Sequence, residues 1–247
     1  MIYVTGDTHG THDFYKLLDN QLKNLTKRDY VIIAGDCGVL FDPKVKEYML
    51  NLYSYLPFTV LFVDGNHENY DLLDSYPIQK WNGGKVQFLT DTVIHLLRGQ
   101  VYKIEGQTFF TFGGALSYDK VRRKPHVSWW ERELPSKEDF FEAMRNLECV
   151  NFRVDYVITH DCPTSWKTMV CNCSKIRNNG FIEASSNYYL EKIEKQIVFR
   201  HWYFGHYHMD YTTKNATVLY NHLIVLPEGN LEKNKMGLLH NSTNEKR

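Results

Sequence analysis

The sequence predicts an α/β protein built around parallel strands. Three short apolar runs occur in the first seventy residues, at Ile2–Thr5, Tyr30–Ala34 and Phe58–Val63. The two segments between these runs have the apolar spacing of helices. Each run also ends close to a glycine that is followed by an Asp or an Asn. A β-α-β-α-β order with such continuous apolar runs is typical of buried parallel strands joined by crossover helices.

Two helices are predicted between these first three strands. The first is indicated by apolar residues on one helical face, at Phe14, Leu17, Leu18, Leu22 and Leu25. The second is predicted from about Pro43, because proline is accepted in a first helical turn, to about Leu56. Pro57 ends it before the third strand.

The middle of the chain predicts antiparallel hairpins, because four short apolar runs follow one another closely. These runs are Val86–Leu89, Val93–Leu97, Val101–Ile104 and Thr108–Phe112. A helix from Ser136 to Cys149 is then predicted, with Ser136 as the N-cap and Asp139 three residues later. Its apolar face is predicted to contain Phe140, Phe141, Met144 and Leu147.

The remaining elements are a polar, irregular loop over the cleft, one helix and four strands. The loop is predicted at 164–181, the helix at 185–198, and the strands at 155–159, 201–204, 216–220 and 223–226. We predict one domain over residues 1–230, followed by a polar tail at 231–247.

Composition excludes several classes of protein. The 247 residues are 43% hydrophobic and 23% charged, with a formal net charge of zero, so the chain is not of disordered type and shows no overall basic nucleic-acid footprint. Aromatic residues make up 15%, which we interpret as core and cleft walls. The five cysteines lack a framework spacing, so we expect free thiols in a reducing compartment. With no signal peptide and no long uncharged apolar run, we expect a cytoplasmic protein without a membrane span.

Polar side chains with metal-ligand chemistry follow five predicted strands. They are Asp7, His9, Asp36, Asn66, His67, His160, His206 and His208. The carboxyl ends of parallel strands face one edge of a sheet, where ligands bind. Residues i and i+2 of an extended chain share a side, so Asp7 is expected to converge with His9, and His206 with His208. A single Asp in such a place more often caps a turn, but the repetition at five strand ends favours a metal centre.

The donor set predicts two divalent ions. Oxygen and imidazole nitrogen without thiolate suit Mn²⁺, the ion that we expect, or Fe, Zn or Mg, rather than a structural cysteine-type zinc. Eight side chains exceed the needs of one ion but suit two ions about 3.5–4 Å apart with a bridging carboxylate. Asp36, alone at its strand end, is the natural bridge.

Five blocks of this sequence resemble, in order, those of the calcineurin-like metallophosphoesterase superfamily. They are Asp7-Thr8-His9, Gly35-Asp36, Gly65-Asn66-His67-Glu68, Thr159-His160 and Gly205-His206-Tyr207-His208. The resemblance implies a four-layer α/β/β/α sandwich of two mixed sheets with a dinuclear centre. It implies that Asp7, His9 and His208 hold one ion and that Asn66, His160 and His206 hold the other. Asp36 would bridge them, and His67 would be a non-ligand imidazole near the leaving group.

The expected activity is metal-dependent hydrolysis of a phosphomonoester or phosphodiester. Two cations lower the barrier by neutralising phosphoryl oxygens and holding a bridging hydroxide for in-line attack, while His67 assists the leaving group. The expected substrate is a small phosphorylated molecule such as a nucleotide, with a phosphoprotein as the other option. A non-catalytic binding or scaffold module of the same fold is the alternative. The complete set of ligand types and His67 favour the enzyme.

The second block departs from the pattern of the protein Ser/Thr phosphatases. Val39 and Leu40 stand where those enzymes have the acid that orients the catalytic histidine and the arginine that grips phosphate. A replacement phosphate clamp is predicted at Arg122 or Arg123, although a solvated basic loop explains both residues equally well. Around His67, we expect Gly65 to let the backbone turn and Glu68 to be a structural anchor.

Overall fold

Two mixed β-sheets packed face to face form the centre of the protein and carry helices on their outer faces. The computed structural model describes residues 1–171 and 185–227. One sheet has seven strands in the order β13-β1-β2-β3-β6-β5-β4, and the other has six in the order β11-β12-β10-β9-β8-β7. The predicted four-layer α/β/β/α class is confirmed.

Strands β1–β7 are Ile2–Thr5, Tyr30–Ile33, Thr59–Phe62, Ile78–Trp81, Gly84–Thr90, Val93–Leu96 and Gln100–Ile104. Strands β8–β13 are Gln107–Phe112, Tyr156–Thr159, His201–Phe204, Tyr211–Thr212, Ala216–Val218 and Ile224–Leu226. The first three strands pair in parallel, as predicted, and β9 and β10 form the matching parallel pair of the second sheet. The carboxyl ends of these five strands carry the predicted ligands. Strands β4 and β11, which lie at the edges of their sheets, were not predicted from the sequence.

The core has three layers, since the side chains of a strand alternate between the faces of its sheet. In β2, Val31 and Ile33 pack under the helices, whereas Ile32 packs between the two sheets. In β8, Phe109 lies between the sheets and Phe110 packs under the helices of the second sheet. Both faces of these strands are therefore buried against apolar side chains. This explains why their sequences are continuous apolar runs without polar alternation.

The helices α1–α5 are Lys46–Ser54, Tyr70–Leu73, Lys137–Glu148, Lys167–Cys171 and Ser186–Glu194. In α3 the predicted cap is present in full: Asp139 donates its backbone N–H to the Ser136 hydroxyl, and its carboxylate accepts from the Ser136 N–H. Leu147 is buried as predicted, but Phe141 is exposed, so its place on the apolar face was wrong.

The helix predicted between the first two strands is absent. Two short 3₁₀ helices occupy the segment instead, at Phe14–Leu18 and Asn20–Leu22. Asp19 has extended backbone between them, and its carboxylate accepts from the Gln21 N–H, which restarts the turn. Leu17 and Leu22 are buried nevertheless, whereas Leu18 is exposed. The apolar spacing therefore predicted the burial of every face residue except Leu18, and it overstated helical regularity.

The middle strands form two antiparallel hairpins that lie in different sheets. β5 pairs with β6, and β7 pairs with β8, but β6 and β7 are not neighbours. The chain crosses from one sheet to the other through 97–99, where a third hairpin turn was expected. The predicted loop at 164–181 is also partly wrong, because Thr164–Trp166 is a 3₁₀ helix and α4 follows it. Its remainder, from 172, lies outside the described residues, as does the predicted tail at 231–247.

Among the described residues, no helix has both the length and the apolar character needed to cross a membrane. Cys37 and Cys149 are free thiols.

Candidate metal centre

The predicted ligands meet where the carboxyl ends of β1, β2, β3, β9 and β10 face one another. One group contains Asp7, His9 and His208. The Asp7 Oδ2 atom lies 3.1 Å from His208 Nε2 and 3.9 Å from His9 Nε2. The structure therefore brings together the three residues that the resemblance assigns to one ion.

The second group lies on the other side of Asp36. His160 Nε2 is 3.2 Å from Asn66 Oδ1 and 3.3 Å from Asp36 Oδ1. The His206 ring lies against that of His160, with 5.0 Å between their centroids. The other oxygen of Asp36 is 3.4 Å from His9 Nε2. Asp36 thus faces both groups, which is the position required of a bridging carboxylate.

The convergence of these side chains depends on left-handed backbone, not on an extended chain. Strands β1 and β10 end at Thr5 and Phe204, before the ligands begin. The ligands His9, Asp36, His206 and His208 have φ values of 43°, 47°, 70° and 48°. Such values are uncommon outside glycine and cost free energy, and they occur preferentially at functional sites. The expectation that alternation along a strand would align the pairs was therefore wrong.

Two motif glycines make room for ligands from other motifs. A Cβ atom on Gly35 would lie 2.0 Å from His160 Nδ1, and one on Gly65 would lie 2.0 Å from Asp36 Oδ1. Gly65 does not have positive φ, so the expectation that it frees the backbone to turn was wrong. Its role is to let the Asp36 carboxylate pass.

Glu68 is a structural anchor, as expected. Its carboxylate is fully buried and accepts hydrogen bonds from the backbone N–H groups of Cys37 and Gly38. Burial, reinforced by Asp36, raises the pKa of Glu68 well above its usual range. The residue fixes the loop that carries Asp36.

The residues present fit divalent ions. Asp7 Oδ2 is buried and accepts no hydrogen bond from any residue that the structure describes, which is costly unless a cation satisfies it. His9 Nδ1 is 2.7 Å from Asp13 Oδ2, and His160 Nδ1 is 2.9 Å from the Ala34 carbonyl. These contacts engage the far nitrogen of each ring and leave Nε2 facing the carboxylates, which is how metal-binding histidines are usually held.

The electrostatics of the centre indicate a shortage of positive charge. Burial lowers the pKa of His9 and of His160, but Asp36 and Asp7 outweigh it and raise these pKa values to about 9 and about 10. Despite burial, His160 holds the pKa of Asp7 and of Asp36 below the usual range. Burial lowers the pKa of His206 to about 4, so its ring is neutral. In the metal-free protein, the raised pKa values of His9 and His160 thus favour protons where divalent ions would otherwise supply positive charge.

His67 contacts an arginine instead of an orienting acid. Its Nε2 atom lies 2.9 Å from Arg123 Nη2. Because a guanidinium only donates, Nε2 must accept this hydrogen bond, and the ring is then neutral with its proton on Nδ1. Burial lowers the pKa of His67, and Arg123 acts in the same direction, although Asp36 opposes both.

Arg123 is itself held in place, whereas Arg122 is not. Its Nε is 2.7 Å from Asp119 Oδ1, and its Nη1 donates to the Asn66 carbonyl at 3.3 Å. Arg122 is exposed, and within the described parts of the chain its side chain has no hydrogen-bond or ion-pair partner. Val39 and Leu40 are both buried in the apolar core, so the second block brings no polar side chain to the centre besides Asp36.

Several supporting residues were missed by sequence reasoning. Asp13 orients His9 and accepts from the Tyr220 hydroxyl at 3.0 Å. The Tyr220 ring stacks on His208 with 4.8 Å between centroids. Lys16 is buried and donates to the Asp7 carbonyl. The sequence signal for Asp13 and Lys16 was their position within an apolar helical pattern. The contact between Asp13 and Tyr220 had no such signal, because it joins positions 207 residues apart.

Comparison with known proteins agrees with this geometry. Residues 1–210 match the family model of the calcineurin-like phosphoesterases, whereas no curated protein matches. Among solved structures, the phosphopantetheinyl hydrolase of Mycobacterium tuberculosis is 16% identical, with 95% of this chain and 92% of that chain covered and a TM-score of 0.43.

A protein of unknown function from Aquifex aeolicus, AQ665, is 17% identical. The match covers 72% of this chain and 87% of that chain, with a TM-score of 0.33. Both scores are below 0.5, so neither resemblance bears on the substrate. The family match covers most of the sequence and includes all five ligand-bearing strand ends. The chain belongs to the calcineurin-like phosphoesterase family.

Proposed function

We propose that this protein hydrolyses a phosphate ester of a small molecule and that it depends on two divalent ions. The observation that carries the proposal is the pair of buried carboxylates, Asp7 and Asp36, where one oxygen of Asp7 accepts no hydrogen bond from the described part of the chain. Seven side chains with ligand atoms surround the same space, and they come from five different strand ends.

The seven side chains divide into two ligand sets that share Asp36. Asp7, His9 and His208 would hold one ion, and Asn66, His160 and His206 would hold the other. When bound, the ions supply Lewis-acid stabilisation of phosphoryl charge and lower the pKa of water, with Mn²⁺ as the expected ion. The hydrogen bonds to the far nitrogens of His9 and His160 keep both rings oriented for this task.

Arg123 and His67 are proposed to act on the substrate together. Arg123 brings a permanent positive charge next to His67, and its side chain is only 11% exposed. A neutral His67 still has an N–H to donate, but it offers less positive charge than an imidazolium would. We therefore assign the charge that stabilises the phosphoryl group or the leaving oxygen to Arg123. Exposed Arg122 has no part in this proposal.

The test is metal-dependent hydrolysis after chelation and reloading. We expect the Mn²⁺-loaded protein to hydrolyse p-nitrophenyl phosphate or bis-p-nitrophenyl phosphate and the chelated protein to do neither. The comparison of the two substrates also decides between monoesterase and diesterase. A protein that binds metal but is inactive on both substrates and on a nucleotide panel would contradict the proposal and favour a binding module.

Two buried histidines provide a matched pair of variants. His160→Gln removes a proposed ligand after β9, whereas His201→Gln changes a buried histidine that begins β10 and contacts the Thr217 hydroxyl at 2.8 Å. We expect His160→Gln to lower turnover by more than about 100-fold, beyond the loss typical of groups that only orient a ligand. His201→Gln should retain activity, so an equal loss in the two variants would contradict the assignment.

A further inference from the structure

A cavity of about 460 Å³ opens beside the metal centre, at His9 and His67. Its volume lies in the range of pockets that bind small molecules, roughly 300–1,000 Å³. Ligand atoms of the same two histidines come within 4.8 Å of a carboxylate oxygen of Asp36. The cavity is therefore continuous with the place where a phosphoryl group would lie.

The walls of this cavity are mainly apolar. Phe41, Val45 and Met49 line it, and Gly10 and Gly38 add backbone without side chains. The Phe41 ring lies 5.7 Å from that of His67 and 6.1 Å from that of Trp130, in an edge-on arrangement with the latter. Val45 is 42% exposed, so this part of the wall is open to an incoming ligand.

The charges around the cavity oppose an anionic occupant. Among the described residues that line it there is no Lys or Arg, and Asp42 contributes a carboxylate. Arg123, the cation that contacts His67, does not line the cavity. A carboxylate or a second phosphate beside Phe41 and Val45, away from His9, would lose hydration and gain no Lys or Arg partner in return.

We propose that this cavity receives the alcohol part of the substrate and that this part is uncharged and carries an aromatic ring. Hydrolysis forms a bond from phosphorus to a water oxygen and breaks the bond from phosphorus to the ester oxygen, which leaves as the alcohol after taking up a proton. An ester whose phosphoryl group lies at Asp36 and His67 directs its alcohol part towards Phe41 and Val45. An aromatic ring suits these walls, because ring pairs gain from offset or edge-on contact as well as from burial. The inference rests on the proposed function.

The first experiment compares benzyl phosphate with ethyl phosphate on the Mn²⁺-loaded protein. Both are alkyl esters with leaving alcohols of similar basicity, and the ring is the main difference between them. We expect kcat/KM to be at least about tenfold higher for benzyl phosphate, mostly through KM, because a filled apolar pocket gives factors of about 10–200. A benzyl ester with a charged carboxylate on the ring should lose this advantage.

Substitutions at two exposed valines locate the effect. Val45→Asn places a polar group on the cavity wall, and Val45 is the N-cap of α1, a position that favours Asn, so folding is kept. Val198→Asn makes the same change at a residue that is 51% exposed and precedes β10, at the opposite end of that strand from His206. We expect Val45→Asn to lower the benzyl-to-ethyl ratio severalfold and Val198→Asn to leave both rates unchanged.

Competitive inhibition provides a readout that does not need turnover. Benzylphosphonate should inhibit p-nitrophenyl phosphate hydrolysis more strongly than ethylphosphonate does, and Val45→Asn should reduce the difference. Hydrolysis with equal kcat/KM for benzyl and ethyl phosphate, or equal responses to the two valine substitutions, would overturn the inference while leaving the proposed function intact. No hydrolysis of any ester by the metal-loaded protein would instead overturn the proposed function.

Discussion

Two buried polar clusters that contain carboxylates lie a few residues apart in this protein, and they differ in how the carboxylate charge is neutralised. The metal centre contains Asp7 and Asp36. The other cluster, which we name the Asp64–Arg98 network, contains Asp64, Arg98, Tyr70 and His95. Asp64 immediately precedes Gly65 and Asn66, so the two clusters share one loop after β3.

The Asp64–Arg98 network is closed by the protein itself. Arg98 donates to Asp64 Oδ2 through Nε at 2.7 Å and also through Nη2, and the Tyr70 hydroxyl donates to the same oxygen at 2.9 Å. His95 Nε2 lies 3.2 Å from the other oxygen. Both oxygens of Asp64 therefore have partners, and Arg98 supplies the compensating cation. The pKa of Asp64 is held well below its usual range against burial by Arg98 and His95.

In the metal centre, no Lys or Arg among the described residues forms an ion pair with Asp7 or Asp36, whose only ion-pair partners are histidines. These carboxylates face imidazoles, and one Asp7 oxygen has no hydrogen bond among the described residues. Four of the seven proposed ligands also have positive φ, whereas none of the four network residues does. The buried charge of Asp64 therefore stabilises the fold, whereas the buried charges of Asp7 and Asp36 are available to a ligand.

The largest expected effect on stability is in the network. Arg98→Met leaves Asp64 buried without its cation, which typically costs about 3–5 kcal/mol. The control is Arg200→Met, which removes an exposed ion pair with Asp155 and should cost at most about 1 kcal/mol. Urea unfolding measures both. Equal losses would mean that the network is not the buried structural pair described here.

The next effect is the pH dependence of metal binding. His9 and His160 have raised pKa values in the metal-free protein, of about 9 and about 10. Protonation of the two histidines stabilises the metal-free fold fully when the pH is below the unfolded histidine pKa of about 6.5. This stabilisation is lost as the pH rises through the pKa values of the folded protein. Metal must displace these protons, so affinity should rise by up to about tenfold per pH unit for each proton released.

Thermal melts with and without Mn²⁺ at pH 6.5, 7.5 and 8.5 check this prediction. The difference in Tm between metal-loaded and metal-free protein should widen with pH. The Asp64–Arg98 network should not contribute to this change in Tm. The lowered pKa of Asp64 stabilises the fold fully at any pH above about 3.9, the unfolded pKa of Asp, and this stabilisation is lost only in acid. A difference that narrows as pH rises would contradict the proton-for-metal exchange.

The smallest effect concerns the two neighbouring arginines. Arg123→Ala removes the charge beside His67 and should lower kcat on p-nitrophenyl phosphate by about 10–100-fold, the equivalent of one charged hydrogen bond of about 1.5–3 kcal/mol. Arg122→Ala should change it by less than about twofold. A change in Arg123→Ala as small as that in Arg122→Ala would contradict the assignment and favour the simpler interpretation of a solvated basic loop.

The sequence predicts which polar side chains lie together, because parallel sheet geometry brings strand ends to one edge without further information. What it could not predict depends on partners distant along the chain. Arg98 looked like a hairpin residue, but it lies where the chain changes sheets, and its partner Asp64 is 34 positions away. The Arg123–His67 contact likewise depends on how a loop folds back, so Val39 showed only that the usual acid was missing.

Local strain was equally inaccessible to sequence reasoning. His9 and Asp36 have positive φ, although neither is a residue type that requires it, so no pattern of apolar or small residues reports it. The short 3₁₀ helices after β1 arise for a related reason. The Asp13 side chain contacts His9, and the Lys16 side chain contacts Asp7. A regular amphipathic helix would have directed these two polar side chains away from the core.

The central claim is that Asp7 and Asp36 lack a cation that divalent ions supply. Titration calorimetry of the metal-free protein with Mn²⁺, with metal content measured after dialysis, tests it most directly. We predict two ions per chain with release of protons in the wild type, and the loss of at least one ion in Asp36→Asn, while Asp91→Asn, at an exposed turn, still binds two. Failure of the wild-type protein to bind Mn²⁺, or unchanged binding in Asp36→Asn, would contradict the claim.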